Sequence, residues 1–157
     1  MDSLDEAMFE IQSGTKLFLK VIAGIEAAID AIDDVTVNVC VTSKNVSELP
    51  AFIDFAARHG SRPRIKFLEL VPCQNSYEVD RSNFIDKYVS SENILLIIRE
   101  ACGEVVSAAT PSNARLKCKY YRVVRNNVIF GVNPNASISY ACQRGACRDY
   151  RLSPEGY

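Results

Sequence analysis

The run Val35-Thr36-Val37-Asn38-Val39-Cys40-Val41-Thr42 decides the fold class. Valine stands at every second position, with Thr36, Asn38, Cys40 and Thr42 between. β-Branched residues at a period of two make a strand, because successive side chains point to opposite faces of a sheet. One face of this strand is apolar. The other is small and polar, which suits the wall of a cavity or barrel lumen.

Helices flank the strand on both sides. Upstream, Phe18, Val21, Ile22, Ile25, Ala28, Ile29 and Ile32 recur at i, i+3, i+4 spacing. That spacing predicts an amphipathic helix over 15–32 with one buried stripe, ended by Asp33-Asp34. Downstream, Ser47 reads as an N-cap, Pro50 falls in the first turn, and Leu49, Phe52, Ile53 and Ala56 form a second stripe. His59-Gly60 closes that helix, with glycine suited to the C′ position. Residues 64–71 then read as a second strand, ended by Pro72. Strands joined through a helix are parallel, so the first half is βαβ material.

The remainder changes character. Residues 80–88 are charged and loop-like or weakly helical, and 91–101 form a helix (Ile94, Leu95, Ile97, Ile98) capped by Ser91 and stopped near Gly103. Short strands at 105–106, 116–124 and 128–130, with Arg125-Asn126-Asn127 as a turn, predict a small antiparallel sheet. A soft boundary falls at 73–81. The expected class is therefore α/β: a partial parallel β/α half barrel followed by a small antiparallel β segment. Two parallel strands cannot cover both of their faces, and parallel sheets are normally buried. The element count thus suits part of a larger protein, or one completed by strands from another chain.

Composition narrows the function classes. The 157 residues are 48% hydrophobic with a net charge of −1, which excludes a disordered chain. Eighteen basic against nineteen acidic side chains give no field that would draw the protein to nucleic acid or an anionic membrane. No run approaches the ~20 apolar residues of a membrane span. The opening Met1-Asp2-Ser3-Leu4-Asp5-Glu6 is acidic where a secretory signal would be basic, so the expected location is cytoplasmic. In that reducing compartment the six cysteines are thiols or metal ligands rather than disulfides.

Cys142-Gln143-Arg144-Gly145-Ala146-Cys147 is the densest chemical constellation. Two thiols in a glycine-containing loop can converge on a soft metal or an iron–sulfur cluster, although either needs further ligands. On spacing alone, two ordinary loop cysteines fit as well. Arg144, Arg148 and Arg151 would lower the thiol pKa values or bind an anion, or form a solvated basic loop.

The context of the pair carries a resemblance. Lys119-Tyr120-Tyr121-Arg122, Val128-Ile129-Phe130-Gly131, and Cys142 to Cys147 followed by Arg151-Leu152-Ser153-Pro154-Glu155-Gly156 resemble the C-terminal region of the GTP 3′,8-cyclase family. That is the radical-SAM (S-adenosylmethionine) family opening molybdenum-cofactor biosynthesis. Leu4-Asp5 with Phe9 resembles the segment after its fourth barrel strand. Residues 35–41 resemble the next strand, and Lys66-Phe67-Leu68-Glu69-Leu70-Val71-Pro72 is similar to its R-F-I-E-x-M-P strand. The resemblance runs in order along nearly the whole chain.

It implies residues 1–75 as the C-terminal part of a radical-SAM-like barrel and 76–157 as a truncated, twitch-like iron–sulfur domain. The family holds two [4Fe-4S] clusters. One cleaves S-adenosylmethionine, and the other, on three C-terminal cysteines, binds the purine of GTP. By match, Cys147 is the second cysteine of that set and Cys142 stands near the first; the third would lie just past Tyr157. Arg151 matches one of two arginines that meet GTP, and Asp149 separates this chain from the family's x-R-x-R. The family's substrate-binding lysine is Thr36 here, and its SAM-contacting methionine is Val71. The C-x-x-x-C-x-x-C motif of the SAM cluster is not in this sequence. No residue here is assigned a catalytic role, and the chain by itself is expected to be inactive.

Other residues read more plainly. Cys40 lines a lumen or fills the core, Cys73 follows a strand end where α/β sites often lie, and Cys102 and Cys118 are structural. Glu69, in an otherwise apolar strand, makes a lumen contact or a salt bridge with Lys66 or Arg64. His59 caps a helix or lies exposed. Three functions follow. The chain is a fragment of a GTP 3′,8-cyclase-like enzyme, a divergent radical-SAM relative acting on another substrate such as a peptide, or a non-enzymatic iron–sulfur or zinc module. The expected partners are a small-molecule substrate (GTP or another) and a homodimer mate or complementing chain.

Overall fold

The structure, a computed structural model, describes residues 3–7, 9, 17–70, 86–111 and 118–133. Helix α1 (Phe18–Ala31) leads into β1 (Thr36–Val41). A 3₁₀ turn (Val46–Glu48) opens α2 (Leu49–Arg58), which returns to β2 (Arg64–Glu69). Helix α3 (Ser91–Cys102) then precedes β3 (Val105–Ser107), β4 (Lys119–Val123) and β5 (Val128–Asn133).

The five strands form one open sheet in the order β1-β2-β5-β4-β3. β1 pairs parallel with β2, with Thr36 opposite Arg64 and Val41 opposite Glu69. β5 pairs parallel with β2 on one side and antiparallel with β4 on the other, and β3 adds antiparallel to β4. The α/β class with a parallel half and an antiparallel segment is thus the architecture observed. The antiparallel strands do not make a sheet of their own, however. β5 runs to Asn133, beyond the expected 130, and the extra residues complete its register with β2, from Ile65↔Phe130 to Leu68↔Asn133. This pairing is tertiary and carries no local signal.

Helices α2 and α3 pack against each other and against one face of the sheet. Val37, Val39 and Val41 of β1, Ile65 and Phe67 of β2, and Phe130 and Val132 of β5 are buried there with Phe52, Ile53, Ile94 and Ile98. Phe67 sits at the centre, edge-on to Phe52 at 6.2 Å and to Phe130 at 5.9 Å between ring centroids. Such aromatic contacts add to the large apolar area these rings bury.

Helix α1 keeps its expected stripe but buries it only in part: Ile29 is buried, Phe18, Val21, Ile22, Ile25 and Ala28 are half-buried, and Ile32, just past the helix, is 54% exposed. It flanks the edge of β1, where Val21, Gly24, Ile25 and Ala28 face Val35, Thr36, Val37 and Asn38 across a cleft of about 440 Å³. The second helix also starts differently. Asn45 opens a 3₁₀ turn, so Glu48 rather than Ser47 is the N-cap. Asn45 is fully buried, accepts from Thr42 N at 2.8 Å and donates to Cys40 O at 2.9 Å, which pins the chain as it leaves β1. The Glu48 carboxylate meanwhile accepts from Ser3 Oγ and from Leu4 N, both at 2.8 Å or less, tying the N-terminal segment to the start of α2. The α2 terminus is as expected, with Gly60 at φ +67 just after His59.

Candidate functional site

Alternation along each strand puts a second set of side chains on the face away from α2 and α3. Registers align them in three rows. Nearest the C-terminal ends of the parallel strands lie Cys40, Leu68 and Asn133, with Cys118 alongside, one residue before the Lys119↔Val132 pair. The next row is Asn38, Lys66, Gly131 and Tyr120. The third begins Thr36, Arg64 and ends Ile129, Arg122. In β/α sheets, ligands bind at the C-terminal strand ends, where the first two rows stand.

The small polar face of β1 expected from its sequence is therefore real, and it opens away from the helices. Charge on it comes from β2. Arg64 is engaged by the Asp34 carboxylate. Lys66 is half-buried, and among the described residues no carboxylate pairs with it. Its ammonium acts on Cys118, whose thiol burial pushes up while Lys66 and a hydrogen bond from Tyr120 pull it back. Burial likewise raises Tyr120, with Cys118 adding to the rise. Both groups stay protonated near neutrality, so this face offers a cation, neutral donors and amides rather than a thiolate nucleophile.

Gly131 is needed for this packing. A Cβ there would lie 2.6 Å from Cys118 Sγ and 3.1 Å from Tyr120 Cε1, so the thiol occupies the space over a bare backbone. Among the described residues one buried side-chain oxygen stands unmatched, on Asn133: its Oδ1 has no hydrogen-bond partner.

Of the residues singled out from sequence, Thr36 lies exposed on this face beside Arg64. Val71, Cys73, Cys142, Cys147 and Arg151 lie outside the described residues. Sequence reasoning passed over Asn38, Lys66, Cys118, Tyr120 and Asn133 as a group. The alternation of Arg64, Lys66 and Leu68 with buried Ile65, Phe67 and Glu69 was a usable signal for Lys66.

Glu69 needs correction. It faces the helices, not the open face, and pairs with neither Lys66 nor Arg64. Its Oε1 accepts from Ser91 N at 2.5 Å and from Ser91 Oγ, and Oε2 accepts from Tyr88 OH at 3.0 Å. A buried carboxylate is tolerated there because it meets the first amide and the positive end of α3. Ser90, not Ser91, is the N-cap, accepting from Asn93 N at 3.3 Å, since Ser91 is taken up by Glu69. Tyr88 is pushed up to about 12 by burial and by its bond to the Glu69 carboxylate.

The described thiols do not make a cluster site. Cys40 and Cys118 end the same row three strand spacings apart, roughly 14 Å at ~4.8 Å per strand. Cys102 sits at the end of α3, in the helix-side core. Among the described residues no group of three or more His, Cys, Asp or Glu side chains gathers to hold a metal. In those residues, too, no helix is long and apolar enough to cross a membrane.

No protein-family model matches the chain. It is similar, at 28% identity over 160 aligned residues that take in 99% of it, to a protein named Probable GTP 3′,8-cyclase from Sulfurisphaera tokodaii. The chain spans 45% of that relative's length.

Proposed function

We propose that this chain is part of a radical-SAM protein of the GTP 3′,8-cyclase type and that its open sheet face contributes to the pocket for an anionic small molecule, GTP in the first instance. The observation that carries the reading is the coincidence of two things. The aligned similarity to a Probable GTP 3′,8-cyclase extends over 99% of the chain. The sheet face away from α2 and α3 presents Asn38, Lys66 and Asn133 in the two rows nearest the C-terminal ends of the parallel strands, with Thr36 in the row below.

In this reading residues 1–75 belong to the barrel and 76–157 to a truncated iron–sulfur domain. Further barrel strands complete the lumen, from a longer polypeptide or a complementing chain. Thr36 and Arg151 contact the substrate, Val71 meets S-adenosylmethionine, and Cys142 and Cys147 are ligands of a [4Fe-4S] cluster. When bound, that cluster offers an open iron to the purine; a second cluster with S-adenosylmethionine supplies radical chemistry. The described residues supply binding. Lys66 places a positive charge one strand from Asn38, at the position of the arginine in the family's R-F-I-E-x-M-P strand.

Equilibrium dialysis with GTP tests the reading. Lys66→Ala is expected to weaken GTP binding by at least tenfold, about 1.4 kcal/mol. Binding unaffected by Lys66→Ala, or no binding at all, removes GTP from the reading. Anaerobic reconstitution with iron and sulfide tests the cluster. The Cys142→Ser, Cys147→Ser double variant should lose the iron that the parent chain retains, and equal retention excludes these ligands. Zinc in place of iron would favour the metal-module alternative, and Asp149 with Thr36 leaves a peptide substrate as the second reading.

A further inference from the structure

We propose that residues 86–88 form a strap over the C-terminal ends of β1 and β2 that opens as a unit while the sheet stays folded, with Tyr88 as its latch on Glu69.

Tyr88 spans two strand ends. Its backbone forms an antiparallel bridge with Thr42, the residue after β1. Its hydroxyl donates at 3.0 Å to Oε2 of Glu69, the last residue of β2. The two preceding residues are tied to the turn after β1. Ser43 N donates to Lys87 O at 3.0 Å, and Ser43 Oγ to Asp86 O at 2.8 Å. These polar ties hold a stretch that buries little, for Asp86 is exposed, Lys87 half-buried and Tyr88 38% exposed. The next residue, Val89, is buried in the core, where Ile94 and Ile98 of α3 join it. A segment with few buried apolar contacts opens at lower free energy than the fold as a whole. The hinge therefore falls between Tyr88 and Val89.

Glu69 makes such an opening possible, because its two oxygens serve different elements. Oε1 accepts from Ser91 N at 2.5 Å and from Ser91 Oγ, at the start of α3, and Oε2 accepts from Tyr88. A buried carboxylate stripped of its partners would be costly. Here the α3 contacts remain when the strap leaves, and water reaches the oxygen that Tyr88 has left. Opening exchanges one hydrogen bond for another rather than stranding a charge. Ligands of parallel β/α sheets bind at the C-terminal strand ends, so the strap stands beside that region. A molecule bound there would shift the open and closed populations by its different affinity for the two.

Native-state amide exchange at increasing urea, below the unfolding transition, tests the proposal. The Ser43 amide should exchange with little dependence on urea, as local opening does. The amides of Ile65, Phe67 and Ser91 should show the steep dependence of global unfolding. Tyr88→Phe removes only the hydroxyl; it should speed Ser43 exchange about tenfold, the effect of one lost hydrogen bond, and leave the Ser91 dependence steep. A Ser43 amide that shares the slope of Phe67 in the parent chain overturns the separate opening, whatever the variant does. An unchanged Ser43 rate in Tyr88→Phe overturns Tyr88 as the latch. A shallow slope at Ser91 shows that the start of α3 moves with the strap and overturns the hinge.

Discussion

Three residues show how contacts inside the fold set local chemistry. Glu69 is 4% exposed and accepts from Ser91 N, Ser91 Oγ and Tyr88 OH. Glu69→Leu strands those donors and should destabilise the chain by about 2–4 kcal/mol in urea unfolding, since each unmatched buried polar group costs about 1–3 kcal/mol. An unchanged midpoint would show that the carboxylate is dispensable. Tyr88 gives the pH signature of the same contact. Its phenol is raised from 10 to about 12 in the folded protein, so the unfolded chain releases this proton first as pH rises. The contribution of Tyr88 is complete below pH 10 and is lost between about 10 and 12. Glu69→Gln should narrow that window in a fluorescence or absorbance titration of Tyr88, and a full-width window would assign the shift to burial alone. Gly131 is the third case. Gly131→Ala forces Cys118 Sγ or the β5 backbone to move, and overpacking of this kind costs about 1–3 kcal/mol. Cys118→Ala in the same chain should recover part of that loss in a double-mutant cycle, and strict additivity would mean that the two do not meet.

At the scale of elements, the amino-acid sequence was informative wherever one segment decides the outcome alone. The valine alternation of β1 shows which residues are buried and which face the open side, because a period of two belongs to the strand itself. The same holds for the stripe of α2, its glycine terminus, and the Arg125-Asn126-Asn127 turn, where Asn127 has φ +58. It was misleading where tertiary context decides. The α1 stripe lies where its spacing puts it, but most of it is only half-buried, because a cleft separates the helix from the β1 edge. Ser91 looks like a cap but is claimed by Glu69, a residue 22 positions away. The parallel partnership of β5 with β2 joins segments more than sixty residues apart, so no local pattern announces it. The open face was legible on β1 and only half legible on β2, and Asn133 was invisible because its interest lies in a missing partner. Packing at the element level is centred on Phe67. Phe67→Ala should cost about 3–5 kcal/mol by loss of contact with Phe52 and Phe130, read from chemical denaturation. A cost under 1 kcal/mol would mean the helices and sheet do not share this core.

At the scale of the molecule, one face of an open sheet is covered by helices and the other carries amides, hydroxyls and a lysine. β1 stands at the end of the strand order, and its six residues hold neither proline nor charge. Helix α1 flanks that edge across the cleft lined by Val21, Ile25 and Ala28, so a further strand would have to enter between them. The two faces make the central claim directly measurable. Amide chemical-shift mapping during a GTP titration reports both faces of the same strands at once. The account predicts shifts at Thr36, Asn38, Lys66, Tyr120 and Asn133, with Val39, Phe67 and Val132, whose side chains face the helices, moving least. Shifts confined to the helices, or none at saturating GTP, would contradict it.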